Sequence, residues 1–161
     1  MSKAVLISIR PEWCEKIMSG RKTIEVRKTR PKMNPPFKCY IYRSVQGGVI
    51  GEFVCDDIFE RIVQVGTSCE TPKYCLCDWN MDCTPLDGLI ADACLTKEAL
   101  GKYLDGGIGF GWHISNLKIY DHPRDLWEFT GLREVKFGWE PVPITRPPQS
   151  WRYVEEELWN D

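Results

Sequence analysis

The most informative stretch of the sequence is Gly20-Arg21-Lys22-Thr23-Ile24-Glu25-Val26-Arg27, because its pattern changes from that of a helix end to that of a strand. Residues 11–19 precede it, with proline at the first helical position and two pairs of side chains four residues apart, Trp13/Ile17 and Cys14/Met18. Gly20 is suited to end this helix, since glycine readily adopts the left-handed conformation of a helix C-terminus. The pattern predicts an amphipathic helix that stops at Gly20.

From residue 23 onward the side chains alternate, as they do in a strand. Ile24 and Val26 point to one side, and Glu25 and Arg27 point to the other. We expect the apolar pair to enter a core, which leaves Glu25 and Arg27 side by side on an accessible face with Lys22 at its edge.

Length and composition predict one globular domain over residues 1–161. The chain has 161 residues, of which 43% are hydrophobic, enough for one well-buried core. No apolar run approaches the roughly 20 residues needed to span a bilayer, and the N-terminal sequence lacks a signal-peptide pattern. We expect a cytoplasmic protein without a membrane partner.

Seven basic residues and one acidic residue, Glu25, lie between positions 21 and 38, although the whole chain has a net charge of −2. Such a basic segment on an acidic chain favours a surface for a localised anion, such as a phosphate. A solvated charged loop is the alternative. The basic residues are Arg21, Lys22, Arg27, Lys28, Arg30, Lys32 and Lys38.

The eight cysteines are expected to be reduced thiols that mostly fill space as small hydrophobic side chains. Four of them, Cys69, Cys75, Cys77 and Cys83, lie in an irregular insertion at about residues 66–92. They are candidate ligands for a structural zinc ion, but their spacing is not that of paired CxxC motifs. We expect neither a metal nor another cofactor.

The remaining patterns predict a β-rich α+β fold. Residues 4–9 read as a strand, residues 39–43 and 49–54 as a hairpin whose second strand continues to 65, and residues 109–120 as a long strand. Thr96 is a plausible N-cap for a helix over residues 97–104. Residues 121–123 read as a turn, 126–129 as a short helical turn, and 141–148 as a proline-punctuated tail. Many short strands with two or three short helices indicate a small, partly closed β-barrel.

The chain resembles the ASCH domain family, a branch of the PUA-like β-barrel superfamily. The family signature is matched by Gly20, Lys22, Glu25 and Arg27. Two further stretches are similar to bacterial and phage members, Gly111-Trp112-His113-Ile114-Ser115 and Pro147-Pro148-Gln149-Ser150-Trp151. The resemblance implies a PUA-like barrel with a cleft beside it, lined by the signature, that accommodates RNA, single-stranded nucleic acid or a nucleotide-like molecule.

The resemblance also implies an alternative, because some small members remove the acetyl group from N4-acetylcytidine and others are ribonucleases. In the deacetylating members, the signature lysine acts with a threonine and a distant glutamate. Lys22 matches that lysine, but Glu25 occupies the threonine position, and Asp92 and Ala93 lie where the glutamate is expected. These differences favour a binding module over a small hydrolase.

The candidate site combines the signature with nearby aromatic and polar residues. In an enzyme, Lys22 would be the base or nucleophile and Glu25 its proton acceptor. The tryptophans offer stacking surfaces for bases, and the arginines suit phosphate. The candidate ligand-binding residues are Trp13, Arg21, Lys22, Glu25, Arg27, Arg30, Trp112, His113, Gln149, Ser150 and Trp151.

Overall fold

The computed structural model describes residues 2–65, 73–77 and 83–159. These ranges contain ten strands, three α-helices and one 3₁₀ turn (Leu126–Glu128). The elements in chain order are β1 (Lys3–Ile9), α1 (Pro11–Met18), β2 (Ile24–Arg27), β3 (Phe37–Arg43), β4 (Val49–Val65), β5 (Lys73–Cys77), β6 (Cys83–Pro85), α2 (Asp87–Asp92), α3 (Lys97–Leu104), β7 (Gly109–Arg124), β8 (Thr130–Val135), β9 (Gly138–Pro143) and β10 (Trp151–Glu155).

The strands form one open sheet in the order β2-β7-β4-β3-β1-β10-β8-β9, with β5 paired to the end of β4 and β6 paired to β5. The strands β1 and β3 are parallel, and the other pairs are antiparallel. The two ends of this path, β2 and β9, do not pair with each other. The predicted β-rich α+β fold with a partly closed barrel is therefore confirmed.

The main core lies between α1 and the central strands. Cys14 and Ile17 of the helix are almost fully buried, together with alternate apolar residues of β1, β3 and β4. Trp112 of β7 is completely buried at its centre and makes an edge-to-face contact with Phe37, with ring centroids 6.0 Å apart.

A second core covers the opposite side of β2. Ile24 and Val26 pack there against buried residues of α2 and α3, including Leu89 and Leu100. Thr96 caps α3 as predicted, since its hydroxyl accepts a hydrogen bond of 3.1 Å from the Ala99 backbone N–H. The helices have six to eight residues, and none in the described part of the chain has the length and hydropathy needed to cross a bilayer.

Three parts of the chain differ from the sequence prediction. The insertion at 66–92 is not irregular throughout, because residues 73–77 and 83–85 form paired strands and 87–92 form α2. The expected turn at 121–123 lies within β7, where a register shift between Val49 and Gly51 of β4 accommodates extra residues. Two prolines of the expected tail, Pro141 and Pro143, belong to β9 at the end of the sheet, a position where a missing N–H donor is tolerated.

Candidate ligand-binding site

The end of α1 and the turn after it place Lys22 inside the protein. Gly20 has the left-handed conformation expected of it, with φ of +80°. The Lys22 backbone N–H then donates to the Lys16 carbonyl at 3.0 Å, and the Thr23 N–H donates to the Asp92 carbonyl at 2.9 Å. These bonds hold the signature between α1 and the end of α2.

Lys22 is buried, with 3% of its surface exposed. Its Nζ donates to the Ala93 carbonyl at 2.5 Å and lies 3.5 Å from Glu25 Oε2 and 4.9 Å from the centre of the Trp13 ring. Burial lowers the pKa of Lys22, and the attraction of Glu25 offsets this only in part.

Glu25 connects Lys22 to Arg27. Its Oε1 accepts a hydrogen bond of 3.0 Å from Arg27 Nε, while its buried Oε2 has no hydrogen-bond partner among the described residues and lies 3.5 Å from the ammonium of Lys22. The expectation that Glu25 and Arg27 lie on an accessible face with Lys22 at its edge is wrong for Glu25 and Lys22, which are buried, while Arg27 is half-buried. Both sides of β2 are covered, so the alternation correctly separates Glu25 from Ile24 but does not predict exposure.

Arg27 is held by three different parts of the chain. Besides its bond to Glu25, its Nη1 donates to Ser150 Oγ at 3.1 Å and its Nη2 donates to the Ser8 carbonyl at 2.6 Å. A guanidinium has five N–H groups, two of them on each terminal nitrogen. Among the described residues these contacts use one N–H on Nη1 and one on Nη2, so one N–H remains on each of these nitrogens.

Arg27 lines a cavity of about 680 Å³, which we call the first cavity. Ser8 and Tyr42 reach it together because β1 and β3 pair in parallel with these residues in register. The walls combine aromatic rings, prolines and a few polar groups. The lining residues are Ser8, Arg10, Glu12, Trp13, Arg27, Tyr42, Ser44, Val45, Tyr103, Pro147, Pro148 and Gln149.

Three predicted ligand-binding residues, Trp13, Arg27 and Gln149, line the first cavity. Lys22 and Glu25 are buried and do not line this cavity, and Ser150 accepts a hydrogen bond from Arg27. The structure thus brings the signature and the 147–151 stretch together, although only some of their members line the cavity.

Other candidates lie away from this cavity. Trp112 is fully buried, so its ring cannot stack on a ligand. His113 pairs opposite Ile24, and its Nδ1 lies 2.6 Å from Asp56 Oδ1. Trp151 donates its indole N–H to the Thr29 hydroxyl at 2.9 Å and lines a neighbouring cavity.

The basic segment does not form a uniformly positive surface, because carboxylates neutralise much of it. Arg30 forms an ion pair with Glu60, and Lys38 lies 3.4 Å from Glu52. Arg21 is exposed and donates to the Ser19 hydroxyl. Lys28 lies over the Tyr103 ring, with 5.0 Å between Nζ and the ring centre, and so places its charge beside the first cavity.

Ser8, Tyr42 and Tyr103 line the first cavity but are not among the residues predicted from the sequence. Ser8 could have been identified as a candidate, because it is a single polar residue within an otherwise apolar strand. Tyr42 and Tyr103 could not, since their place in the cavity depends on the pairing of β3 with β1 and on the docking of α3.

The zinc hypothesis remains a prediction. Cys69 and the side chains of Cys75, Cys77 and Cys83 lie outside the described part of the structure. No group of three or more metal-ligating side chains occurs in the part of the chain that the structure describes. The thiols of Cys14, Cys39, Cys55 and Cys94 are free.

The chain belongs to the ASCH domain family, whose sequence model matches residues 7–101. This range runs from β1 into α3 and includes the whole signature. No curated protein sequence matches the chain.

Solved structures with the same fold include ASCH from Zymomonas mobilis, with 17% sequence identity and a TM-score of 0.58, covering 95% of this chain and 88% of that one. A tyrosine-to-phenylalanine variant of that protein has 17% identity and a TM-score of 0.59, covering 96% and 92%. A serine-to-alanine variant has the same identity and TM-score, covering 95% and 89%. At this identity the likeness establishes the fold alone.

The buried lysine leads to a prediction about pH. The lowered pKa of Lys22 means that the folded protein releases this proton at a lower pH than the unfolded chain, whose lysine keeps its ordinary pKa of 10.5. Stability rises with pH wherever the unfolded state binds more protons. The free energy of unfolding of the native protein should therefore rise relative to that of Lys22→Met as pH increases from 7 towards 10.5. Urea unfolding of both proteins across this pH range measures the difference in their free energies of unfolding. A difference that stays constant or falls with pH contradicts the prediction.

Proposed function

We propose that this protein binds an unstacked nucleotide, either free or within single-stranded RNA, in the first cavity. The observation that carries the proposal is the guanidinium of Arg27, held by Glu25, Ser150 and Ser8 with two N–H groups left for a ligand. A fixed guanidinium suits a phosphate or the edge of a base, since both accept two parallel hydrogen bonds.

The walls of the cavity support the same ligand. Trp13, Tyr42 and Tyr103 contribute aromatic rings, which are the usual partners of unstacked bases. The volume of about 680 Å³ lies within the roughly 300–1,000 Å³ typical of small-molecule sites. A duplex is not favoured, because high-affinity duplex binding relies on many phosphate contacts and the basic segment is largely paired with carboxylates.

A second candidate function is hydrolysis by Lys22, which is favoured by one observation. Its lowered pKa makes the neutral, nucleophilic amine easier to form than in an ordinary lysine. Binding is preferred, because Nζ donates to the Ala93 carbonyl and the side chain is almost entirely buried. Mass spectrometry of N4-acetylcytidine and short RNAs incubated with the protein tests it. A product that is absent with folded Lys22→Met would establish the hydrolase.

The binding proposal predicts the effect of removing one cavity ring. Tyr103 is 40% exposed on α3, so Tyr103→Ala removes little core packing. Stacking on an aromatic ring contributes about 1–3 kcal/mol per base, and a ring at the rim belongs at the low end. We expect the affinity for uridine 5′-monophosphate to fall about 5- to 10-fold, as measured by calorimetry.

Phe137→Ala is the matched control for this prediction. Phe137 is 91% exposed between β8 and β9 and does not line the first cavity. Its removal should leave the affinity unchanged. Equal losses in the two variants would place the nucleotide elsewhere.

A further inference from the structure

A second cavity of about 740 Å³ adjoins the first, and the two share Pro147, Pro148 and Gln149. It lies between β8 and β10, two strands that pair with each other only at Gly131–Val154. Leu132 of β8 lines one side and residues 151–153 of β10 line the other. The segment 147–149 is therefore a ridge between two neighbouring cavities.

The charged side chains that line the two cavities are mostly positive. The second cavity is lined by the guanidinium groups of Arg146 and Arg152 and by no carboxylate. The first contributes Arg10 and Arg27 against one carboxylate, Glu12. A positive path on a chain with a net charge of −2 is suited to an anionic strand.

Arg152 is positioned for an anion. Its Nε is buried without a hydrogen-bond partner among the described residues. Its Nη2 and Cζ lie against Gly131, where any Cβ would overlap the guanidinium. Arg152 also lines the second cavity, so an anionic oxygen bound there can form a charge-assisted hydrogen bond with this guanidinium.

The aromatic residues of the second cavity offer rings rather than polar groups. The Trp151 indole N–H is donated to Thr29, and the Tyr153 hydroxyl accepts a hydrogen bond of 2.7 Å from the Lys32 backbone N–H. The two rings are nearly perpendicular, at 89°. Trp151 also contacts Trp112, and Tyr153 also contacts Trp139. Both residues still line the second cavity, where they can meet a sugar or base while the arginines meet its phosphate.

We propose that the second cavity binds the nucleotide adjacent to the one in the first cavity, so that the ligand is a single strand of at least two nucleotides crossing residues 147–149. This inference rests on the proposed function. It adds the phosphate-binding roles of Arg146 and Arg152 and a minimum length of the ligand.

Calorimetry with uridine 5′-monophosphate and the 5′-phosphorylated dinucleotide pUpU tests the inference. We expect pUpU to bind at least 10-fold more tightly, because it adds a phosphate and a second nucleoside to the contacts. Arg146 is exposed, so Arg146→Gln should fold normally. In this variant we expect the affinity for pUpU to fall at least threefold and the affinity for the mononucleotide to stay the same.

Salt dependence gives a second readout. Log affinity falls linearly with log salt concentration, and each phosphate contact on a single strand makes this slope steeper by about 0.7. In Arg146→Gln the slope for pUpU should therefore be less steep by about this amount. Arg133→Gln is the control, since Arg133 is exposed on β8, pairs with Glu140 and lines neither cavity. It should change neither affinity nor slope.

The outcomes separate the two proposals. If the mononucleotide binds but pUpU binds no more tightly, the second cavity is not a subsite and this inference is overturned, while the proposed function stands. The inference is also overturned if Arg146→Gln weakens both ligands equally or if Arg133→Gln has the same effect. If neither ligand binds, the proposed function itself fails.

Discussion

Glu25→Ala is expected to lower the free energy of unfolding by about 3–5 kcal/mol, the loss typical of breaking a buried ion pair. The substitution leaves the ammonium of Lys22 buried with only the Ala93 carbonyl as a close polar partner among the described residues, and it removes the acceptor of Arg27 Nε. Urea unfolding at pH 7 measures the loss.

Glu140→Ala is the matched control for this effect. Glu140 also pairs with an arginine on a strand, Arg133, but both side chains are substantially exposed. Exposed pairs contribute about 0–1 kcal/mol, so this substitution should cost little. Similar losses in both variants would contradict the buried network around Glu25.

The second large effect concerns ligand affinity. Arg27→Gln is expected to weaken the binding of uridine 5′-monophosphate by about 10- to 150-fold. Hydrogen bonds to charged groups contribute about 1.5–3 kcal/mol, and each 1.4 kcal/mol is a factor of 10 in affinity. Calorimetry measures it, at a temperature where circular dichroism shows the variant to be folded.

Two further variants test whether the fixed guanidinium of Arg27, and not merely a positive charge, is needed for binding. Arg21→Gln removes the same charge from the same basic segment, but the Arg21 side chain is exposed and donates only to the Ser19 hydroxyl in the described part of the chain. It should change the affinity less than twofold. Arg27→Lys keeps the charge but loses the planar fork, so most of the loss should persist. An equal effect of Arg21→Gln would mean that general attraction, and not a fixed guanidinium, binds the nucleotide.

The local structure of the signature could be predicted from the sequence because its causes are local. Gly20 ends α1, Thr96 caps α3, and the alternation of β2 separates Ile24 from Glu25. These features depend on backbone conformation and spacing within a few residues. The adjacency of Lys22, Glu25 and Arg27 follows from the same short-range rules.

Burial could not be predicted, because it depends on distant segments. Glu25 is covered because α1 packs on its side of the sheet, while Ile24 is covered by α2 and α3 on the other. The helix α2 comes from a stretch without clear periodicity, so the sequence around β2 does not predict that a helix covers it. Trp112 has the alternation of a strand residue, and only the assembled sheet encloses it completely.

Photocrosslinking can locate a nucleotide bound beside Arg27 in the first cavity. The protein would be irradiated with 4-thiouridine 5′-monophosphate, and the modified residues would be mapped by peptide mass spectrometry. We expect crosslinks to Trp13, Tyr42 or Tyr103 that unlabelled uridine 5′-monophosphate competes away and that Arg27→Gln strongly reduces. Crosslinks confined to residues outside the first cavity, or unaffected by Arg27→Gln, would contradict this expectation.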